Sequence, residues 1–585
     1  VSHAVFPYID SMDLPLGMSP DVIVMSVFSV FVLCIGLAFS RTARDMEGFF
    51  AGGAAVPWVI AGLSLFMSFF SASTFVAWGS IAYSQGWVAV TIQWTMCMGA
   101  LLTALFIAPR WKATGNLTAA AFIRERLGAR VQQVYVHIFM VVSFFIKGTV
   151  LYPVARLVSG SFDLPLAPTT IVLGLFMIAY TATGGLWAVM VTDILQFVIL
   201  TAAVAILVPL SLDAAGGLSA LRDRAPVDFL DPVSGEYTAG FILAFTLYHI
   251  FHIGGNWTFV QRYTSVRDGR SARKVALLFA ALYLVSPVVW MLPPLLYRTM
   301  NPGLAGLEVE NAYLGICRTV LPPGLLGLML TGMYFSTSAS ATTTLNVVSA
   351  VFTNDVYRTR INPQASPERL MAVARWSGWG FGLGMIAIAL LVPHIGGLVN
   401  VTLSVGAITG GPLLAPAIWA LFSRRLTGPA TLSITLAGLL LNVFGKLAMP
   451  WVFGIPLTRA EEMLTGVLGP LLMLTFFEWR ASRRGSACSE WEAFQALRSQ
   501  REMSRAASPP DALREVREQN RFGLRLTAVA LAFTACLLFL LSLFAEQGVD
   551  WLRVMSVLVA LAALLPWNVA RKLRPTSNMP DHADT

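Results

Sequence analysis

The sequence predicts an all-α polytopic membrane protein, and three observations predict it. Of 585 residues, 56% are hydrophobic and 12% charged, with mean hydropathy +0.70. No water-soluble domain can bury that much apolar surface. About fifteen apolar runs reach the roughly twenty residues that a helix needs to cross hydrocarbon. They centre near residues 30, 70, 98, 145, 176, 199, 249, 285, 338, 381, 409, 438, 470, 534 and 561. Two of these runs, in matching positions of two successive five-span blocks, are interrupted at mid-span. That is the sequence pattern of a five-plus-five inverted repeat.

The first span, Asp21 to Ser40, has no basic flank and no small-residue cleavage site, so it reads as a retained helix. The second, PWVIAGLSLFMSFFSASTFVAWGSIAY from Pro57 to Tyr83, carries Ser64, Ser68, Ser71, Ser73 and Thr74 at its centre. A helix in hydrocarbon must satisfy its backbone internally. Crowded hydroxyls compete for those groups, so this helix can open where it lines a cavity. The second interrupted span, FILAFTLYHIFHIGGNWTFVQRY from Phe241 to Tyr263, holds His249, His252 and the pair Gly254–Gly255. The glycines and histidines are expected to weaken it in the same way. Opened helices at the bilayer midplane offer carbonyls and hydroxyls to small cations.

Charge sets orientation rather than partners. With the N-terminus outside, the basic residues around 41–44, 110–130, 262–274, 358–369, 424–425, 480–525 and 571–574 all face the cytoplasm. That sorting places about 31 of the basic residues inside and about 7 outside, as the positive-inside rule requires. The net charge of +9 is thereby accounted for without nucleic acid. Five scattered cysteines show no metal spacing, and there is no GxxxxGK[ST] loop to drive transport with ATP. No paired carboxylates or HExxH helix suggests an embedded enzyme. The linker at 481–522, rich in arginine and broken at Pro509–Pro510, reads as a solvated cytoplasmic connector with helical flanks.

Ionisable residues within spans are few: Lys147, Asp193, His249 and His252. Such residues are costly in a bilayer and mark sites or ion paths. His249 and His252, three apart, share a helix face, and a histidine at the midplane can also carry a proton. The structural alternative is that they bond carbonyls freed by the glycines. A third hydroxyl-rich run, GMYFSTSASATTTLNVVSAVFTND from Gly332 to Asp355, supplies a dense set of the oxygen ligands a hard cation prefers.

Four stretches, PWVIAGLSLFMSFFSASTFVAWGSIAY, YTATGGLWAVMVTDILQF, NWTFVQRY and LPPGLLGLMLTGMYFSTSASATTTLNVVSAVFTNDVYR, together resemble the sodium:solute symporter family in order and spacing. The resemblance spans roughly residues 45–425. It implies an extracellular N-terminus and first helix (1–44), a ten-helix transport core (45–425), two further spans (426–480), the linker (481–522), and a last pair with a cytoplasmic tail (523–585). It also implies a secondary transporter, multi-pass in the plasma membrane, coupling Na⁺ to a small-molecule solute, with no protein partner. A high arginine-to-lysine ratio suggests a bacterial inner membrane. Carried over residue by residue, the Na⁺ ligands are the carbonyls of Met67, Phe70 and Ser336, with Ala339 and Ser340. Ala339 stands where many coupled members have a hydroxyl, which keeps H⁺ coupling or uncoupled transport open as alternatives, with a membrane sensor a more distant one. Asp193 matches an acidic residue near the family's ion exit route. The aligned substrate positions are Thr74, Gln93, His249, His252 and Tyr283. Lys147 lies close to where sialic acid symporters hold a substrate carboxylate, so a carboxylate solute is expected.

Overall fold

A computed structural model describes residues 20–40 and 56–573, apart from 117, 181–185, 323, 396, 455, 484–486, 507–509 and 546–547. The described residues are helical throughout, and β pairing among them amounts to the isolated bridges Val56–Val266 and Ser234–Tyr237. Every expected span centre falls on a helix except that near residue 70, which falls on a sharp bend. Among the described residues nine helices are long and apolar enough to span, or ten spans if the bent pair counts as one, with three shorter apolar helices beside them.

In chain order the helices are α1 (Pro20–Ser40), α2 (Trp58–Phe69), α3 (Thr74–Gln85), α4 (Val88–Ala113), α5 (Ala119–Leu127), α6 (Ala129–Phe162) and α7 (Leu166–Tyr180). There follow α8 (Leu186–Ala215), α9 (Gly217–Arg224), α10 (Ala239–Gly255), α11 (Trp257–Thr264), α12 (Gly269–Met300), α13 (Ala312–Val320) and α14 (Leu325–Val351). The chain continues with α15 (Pro367–Leu391), α16 (Gly397–Trp419), α17 (Gly428–Phe453), α18 (Arg459–Ser482), α19 (Ser489–Ala506), α20 (Pro510–Phe544) and α21 (Val549–Lys572).

The helix ends are fixed by side chains that satisfy orphan backbone donors. Thr238 caps α10 by accepting from Phe241 N–H at 3.3 Å, and Asp268 caps α12 through Ser271 N–H at 2.7 Å. Thr458 and Glu461 close a reciprocal box on α18. Asp21, buried on α1, reaches across to the N-terminus of α14 and accepts from Gly324 N–H (2.9 Å) and Gly327 N–H (2.7 Å). A carboxylate suits the positive end of a helix, and here it docks the first span onto the hydroxyl-rich one.

The two-part span α2–α3 lies at the centre, with α2 packed on α8 and α12. Helix α10 packs on α4, α16 and α18. Helices α16 and α18 also pack on each other, and there Gly411 and Gly466 each face a backbone carbonyl of the other helix, so a side chain at either would force the helices apart. The pair α20–α21 forms a hairpin against α8, and Phe533 stacks on Phe31 of α1 at 3.8 Å. The linker departs from the expected solvated connector. Helix α19 docks on α5 through buried Phe494, whose ring meets Phe122 at 5.5 Å, and through a two-pronged Arg501–Glu125 pair with its second contact at 2.9 Å. Its amphipathic spacing supplies an apolar face, and α5 offers an aromatic partner for it.

Candidate functional site

The first break starts where α2 stops at Phe69. Phe70 turns extended (φ −83°, ψ 132°) and its N–H folds back onto Met67 O at 3.0 Å. Helix α3 resumes at an angle of 61° to α2. The hydroxyls responsible now hold the exposed backbone: Thr74 Oγ1 accepts from Ser71 N–H (3.5 Å) and Ser71 Oγ from Ser73 N–H (3.2 Å). Two more come from α14. Ser336 Oγ donates to Phe70 O at 2.7 Å, and Thr337 Oγ1 accepts from Ala72 N–H at 3.1 Å. The hydroxyls of Ser73 and Ser338 are buried with no hydrogen-bond partner among the described residues.

Met67, Phe70 and Ser336 are thus brought together. Ser336 faces the break through its hydroxyl rather than its carbonyl. Ala339 and Ser340 stand three and four residues further on α14, one turn along the same face. Their side chains, like that of Lys147 on α6, lie outside the described residues.

The second break falls later than expected. Helix α10 runs intact past His249 and His252 to Gly255, and Asn256 (φ −62°, ψ 129°) makes the turn. Asn256 then caps α11 by accepting from Thr258 N–H at 3.0 Å. The glycines serve packing instead of opening: a Cβ at Gly254 would strike Ile107 of α4, and one at Gly255 would strike Ile418 of α16. The freed carbonyls take donors from α4 and from α11. Trp111 Nε1 donates to Gly254 O at 2.7 Å and Tyr263 OH to Ile253 O at 3.2 Å.

The other aligned positions are divided. His249 Nδ1 lies 2.8 Å from Thr95 Oγ1 of α4, and His252 Nδ1 lies 3.2 Å from Tyr248 OH. Phe69, at the end of α2, touches both His252 (5.4 Å) and Tyr283 (6.1 Å), so these two flank the break. Thr74 is buried and engaged with the break itself. Gln93 is buried but donates to Ala89 O of its own helix at 3.2 Å.

Two further polar junctions close the bundle, and sequence reasoning missed a member of each. Asp193 of α8 accepts from Ser64 Oγ of α2 at 2.6 Å and faces Arg262 of α11 at 3.7 Å. Arg262 Nε also donates to Ser64 Oγ at 3.2 Å. Arg262 was counted with the loop cations, yet it is only 3% exposed. Its place within NWTFVQRY, at the end of an interrupted span, was the available signal. On the other side, Glu310 in the 3₁₀ turn Gly306–Asn311 is buried and accepts from Tyr152 OH of α6 (2.6 Å) and Leu398 N–H of α16 (3.0 Å). Nothing in its local pattern distinguishes Glu310 from an exposed loop acid.

A helical membrane bundle with a broken span clasped by a hydroxyl-rich helix, and polar locks on two sides, has the architecture of a secondary transporter. A model of the sodium:solute symporter family matches residues 49–438, and the chain belongs to that family. It is a multi-pass membrane transporter and not an enzyme, and Na⁺ is the coupling ion of the family. The chain is 23% identical over 499 residues to a sodium/glucose cotransporter of Vibrio parahaemolyticus, covering 78% of this chain and 89% of that one. It is 27% identical over 436 residues to the human sodium/iodide cotransporter, covering 70% and 66%. Among solved structures, an outward-open Na⁺-coupled sialic acid symporter with substrate bound aligns with TM-score 0.65 at 19% identity, over 80% of this chain and 99% of the other. That likeness establishes the fold.

Proposed function

We propose that the protein imports a small carboxylated solute with Na⁺ by alternating access, through a five-plus-five core at 45–425 in a chain of about fifteen spans with the N-terminus outside. The observation that carries the ion site is the 2.7 Å contact between Phe70 O and Ser336 Oγ across the first break. The serine hydroxyl there occupies a carbonyl that is otherwise free to ligate. Turning the hydroxyl presents its oxygen instead of its proton. Na⁺ would then be held by Met67 O, Phe70 O and Ser336, joined by Ser340 from the next turn. Ala339 offers no side-chain oxygen, and the buried, unpartnered Ser338 hydroxyl is an available substitute among the described residues.

Binding there favours the state in which α2, α3 and α14 are clasped, and coupling is the difference in affinity between states. Thr74, Gln93, Lys147, His249, His252 and Tyr283 form the substrate side of the reading, with Lys147 as the carboxylate's partner. Opening toward the cytoplasm requires α11 to leave α2 and α8. That motion separates Arg262 from Asp193 and exposes Asp193 to the departing ion.

The test is thermal stability in choline buffer against a Na⁺ titration, with Ser336→Ala and Ser340→Ala beside the parent. A saturable rise abolished by either substitution supports the site; an unchanged titration in both overturns it. In sealed vesicles, uptake blocked by neutral sugars but not by organic acids would overturn the carboxylate. Proton coupling is the second reading, favoured by the His252–Tyr248 contact at 3.2 Å. It requires uptake that survives Na⁺ removal and collapses with a protonophore and in His252→Ala.

A further inference from the structure

Outside the core's central break lies a cavity of about 470 Å³, between the loop that precedes α10, the start of α16, and the facing ends of α17 and α18. Its volume falls in the range of small-molecule clefts, and it is open to the surface on one side. Its walls carry two ion pairs: Lys446 Nζ to Glu462 Oε1 at 2.5 Å, and Arg459 Nε to Glu236 Oε2 at 2.6 Å. Lys446 is delivered by a π-helical turn, Phe444–Ala448, inside α17; such turns recur at functional sites because they re-aim side chains.

A second, water-sized recess of about 10 Å³ shares Lys446, Leu457 and Glu462 with the cavity and reaches Asn442. Asn442 is 6% exposed. Its Nδ2 donates to Ile408 O at 3.0 Å and Ala407 O at 3.3 Å. Those carbonyls fix the amide's orientation, since a flipped amide would set oxygen against oxygen. Asn442 Oδ1 is left buried with no hydrogen-bond partner among the described residues. A buried acceptor without a donor is costly, and a ligand that supplies one is favoured.

We propose that this cavity is a second solute site and that it takes a zwitterion of the amino-acid type. Both cations on its walls are already paired with carboxylates, so the lining has no excess charge to favour a simple anion or a simple cation. A ligand bearing both charges can lie across the two pairs. Its ammonium points to Asn442 Oδ1 and Glu462, the acceptor end, and its carboxylate points to Arg459 at the mouth. The site involves α17 and α18, which lie beyond the ten-helix core, and does not depend on the Na⁺ ligands.

The experiment uses the full chain in lipid nanodiscs, in choline buffer without Na⁺, and follows thermal stability. The probes share one carbon skeleton: L-leucine (zwitterion), its 2-hydroxy acid (anion) and leucinol (cation), with glucose as a polyol. L-leucine is expected to stabilise saturably, and the other three to need at least about tenfold higher concentration, the loss of one charged hydrogen bond. The double variant Lys446→Gln/Glu462→Gln keeps size and removes charge, and it should weaken leucine by about tenfold or more. Asn442→Leu should do the same; because its amide also bonds the carbonyls of Ala407, Ile408 and Gly466, rim variant Glu236→Gln provides a milder check. Equal response to all probes, no response to any, or unaltered leucine titration in the charge-removed and rim variants overturns the proposal. A Na⁺ titration on the same samples separates the two sites: loss of the Na⁺ response with leucine binding intact counts against the central site and not this one.

Discussion

The two broken spans solve the same problem with different chemistry. At the first, exposed backbone is met by small hydroxyls: Ser71 and Thr74 from within, Ser336 and Thr337 from α14. At the second, it is met by Asn256, Trp111 and Tyr263. A serine hydroxyl turns about one bond and exchanges donor for acceptor. An indole N–H wedged between helices only donates, and only from one position. The first break is therefore built to trade partners and the second to hold them. The first suits the ion site proposed above; the second is a fixed elbow that leads into α11 and Arg262.

Breaking the link between the two should have the largest effect. Arg262→Met leaves the buried Asp193 without its counter-ion, and should cost about 3–5 kcal/mol, read as a lowered thermal midpoint in detergent. Adding Asp193→Asn should recover much of the loss, while uptake stays impaired in both variants. Trp111→Phe removes the donor to Gly254 O while keeping the ring, and should cost about 1–3 kcal/mol with no change in the Na⁺ dependence of stability. Ser336→Ala reverses that pattern. It should lower stability in choline by only about 0.5–1.5 kcal/mol and remove the response to Na⁺. If Trp111→Phe abolished the Na⁺ response and Ser336→Ala spared it, the contrast between the breaks would collapse.

The smallest effect is expected at the α5–α19 contact. Burial pushes the Glu125 carboxyl up, but hydrogen bonds from Arg501 and Asn116 and the nearby arginine charges outweigh it, so its pKa lies below the ordinary 4.5. A depressed folded pKa contributes stability that is present at neutral pH and lost as pH falls through that lowered value. Docking of α19 should accordingly loosen only in that acidic window, and Glu125→Gln should cost under about 1 kcal/mol at pH 7 because the pair is partly exposed. Limited proteolysis within 484–509 as a function of pH measures it.

The interrupted spans were legible because hydroxyls, glycines and histidines stand out in apolar sequence, and positional pattern brought Met67, Phe70 and Ser336 to the same place. What the pattern cannot carry is the direction of a side chain. Ser336 was expected to face the break by its carbonyl, and it is its hydroxyl that meets Phe70 O. The glycine pair was read as the break, when its lack of Cβ serves contact with Ile107 and Ile418 and the turn itself falls on Asn256. Arg262 counted as one more positive loop residue, because a buried ion pair depends on what another segment, nearly seventy residues away, brings opposite. The linker's charge suggested solvation, and only the fold reveals that Phe494 has an aromatic partner waiting on α5.

That last contact bears on how the molecule is made. Helix α5 emerges from the ribosome early, with Phe122 and Glu125 on its surface, whereas Phe494 and Arg501 are synthesised some 370 residues later. At ordinary elongation rates α5 waits on the order of tens of seconds for its cover. During that interval the aromatic edge of α5 that Phe494 later covers lacks that cover. Arrival of α19 supplies it, so this contact is completed only after every span between the two helices has been synthesised.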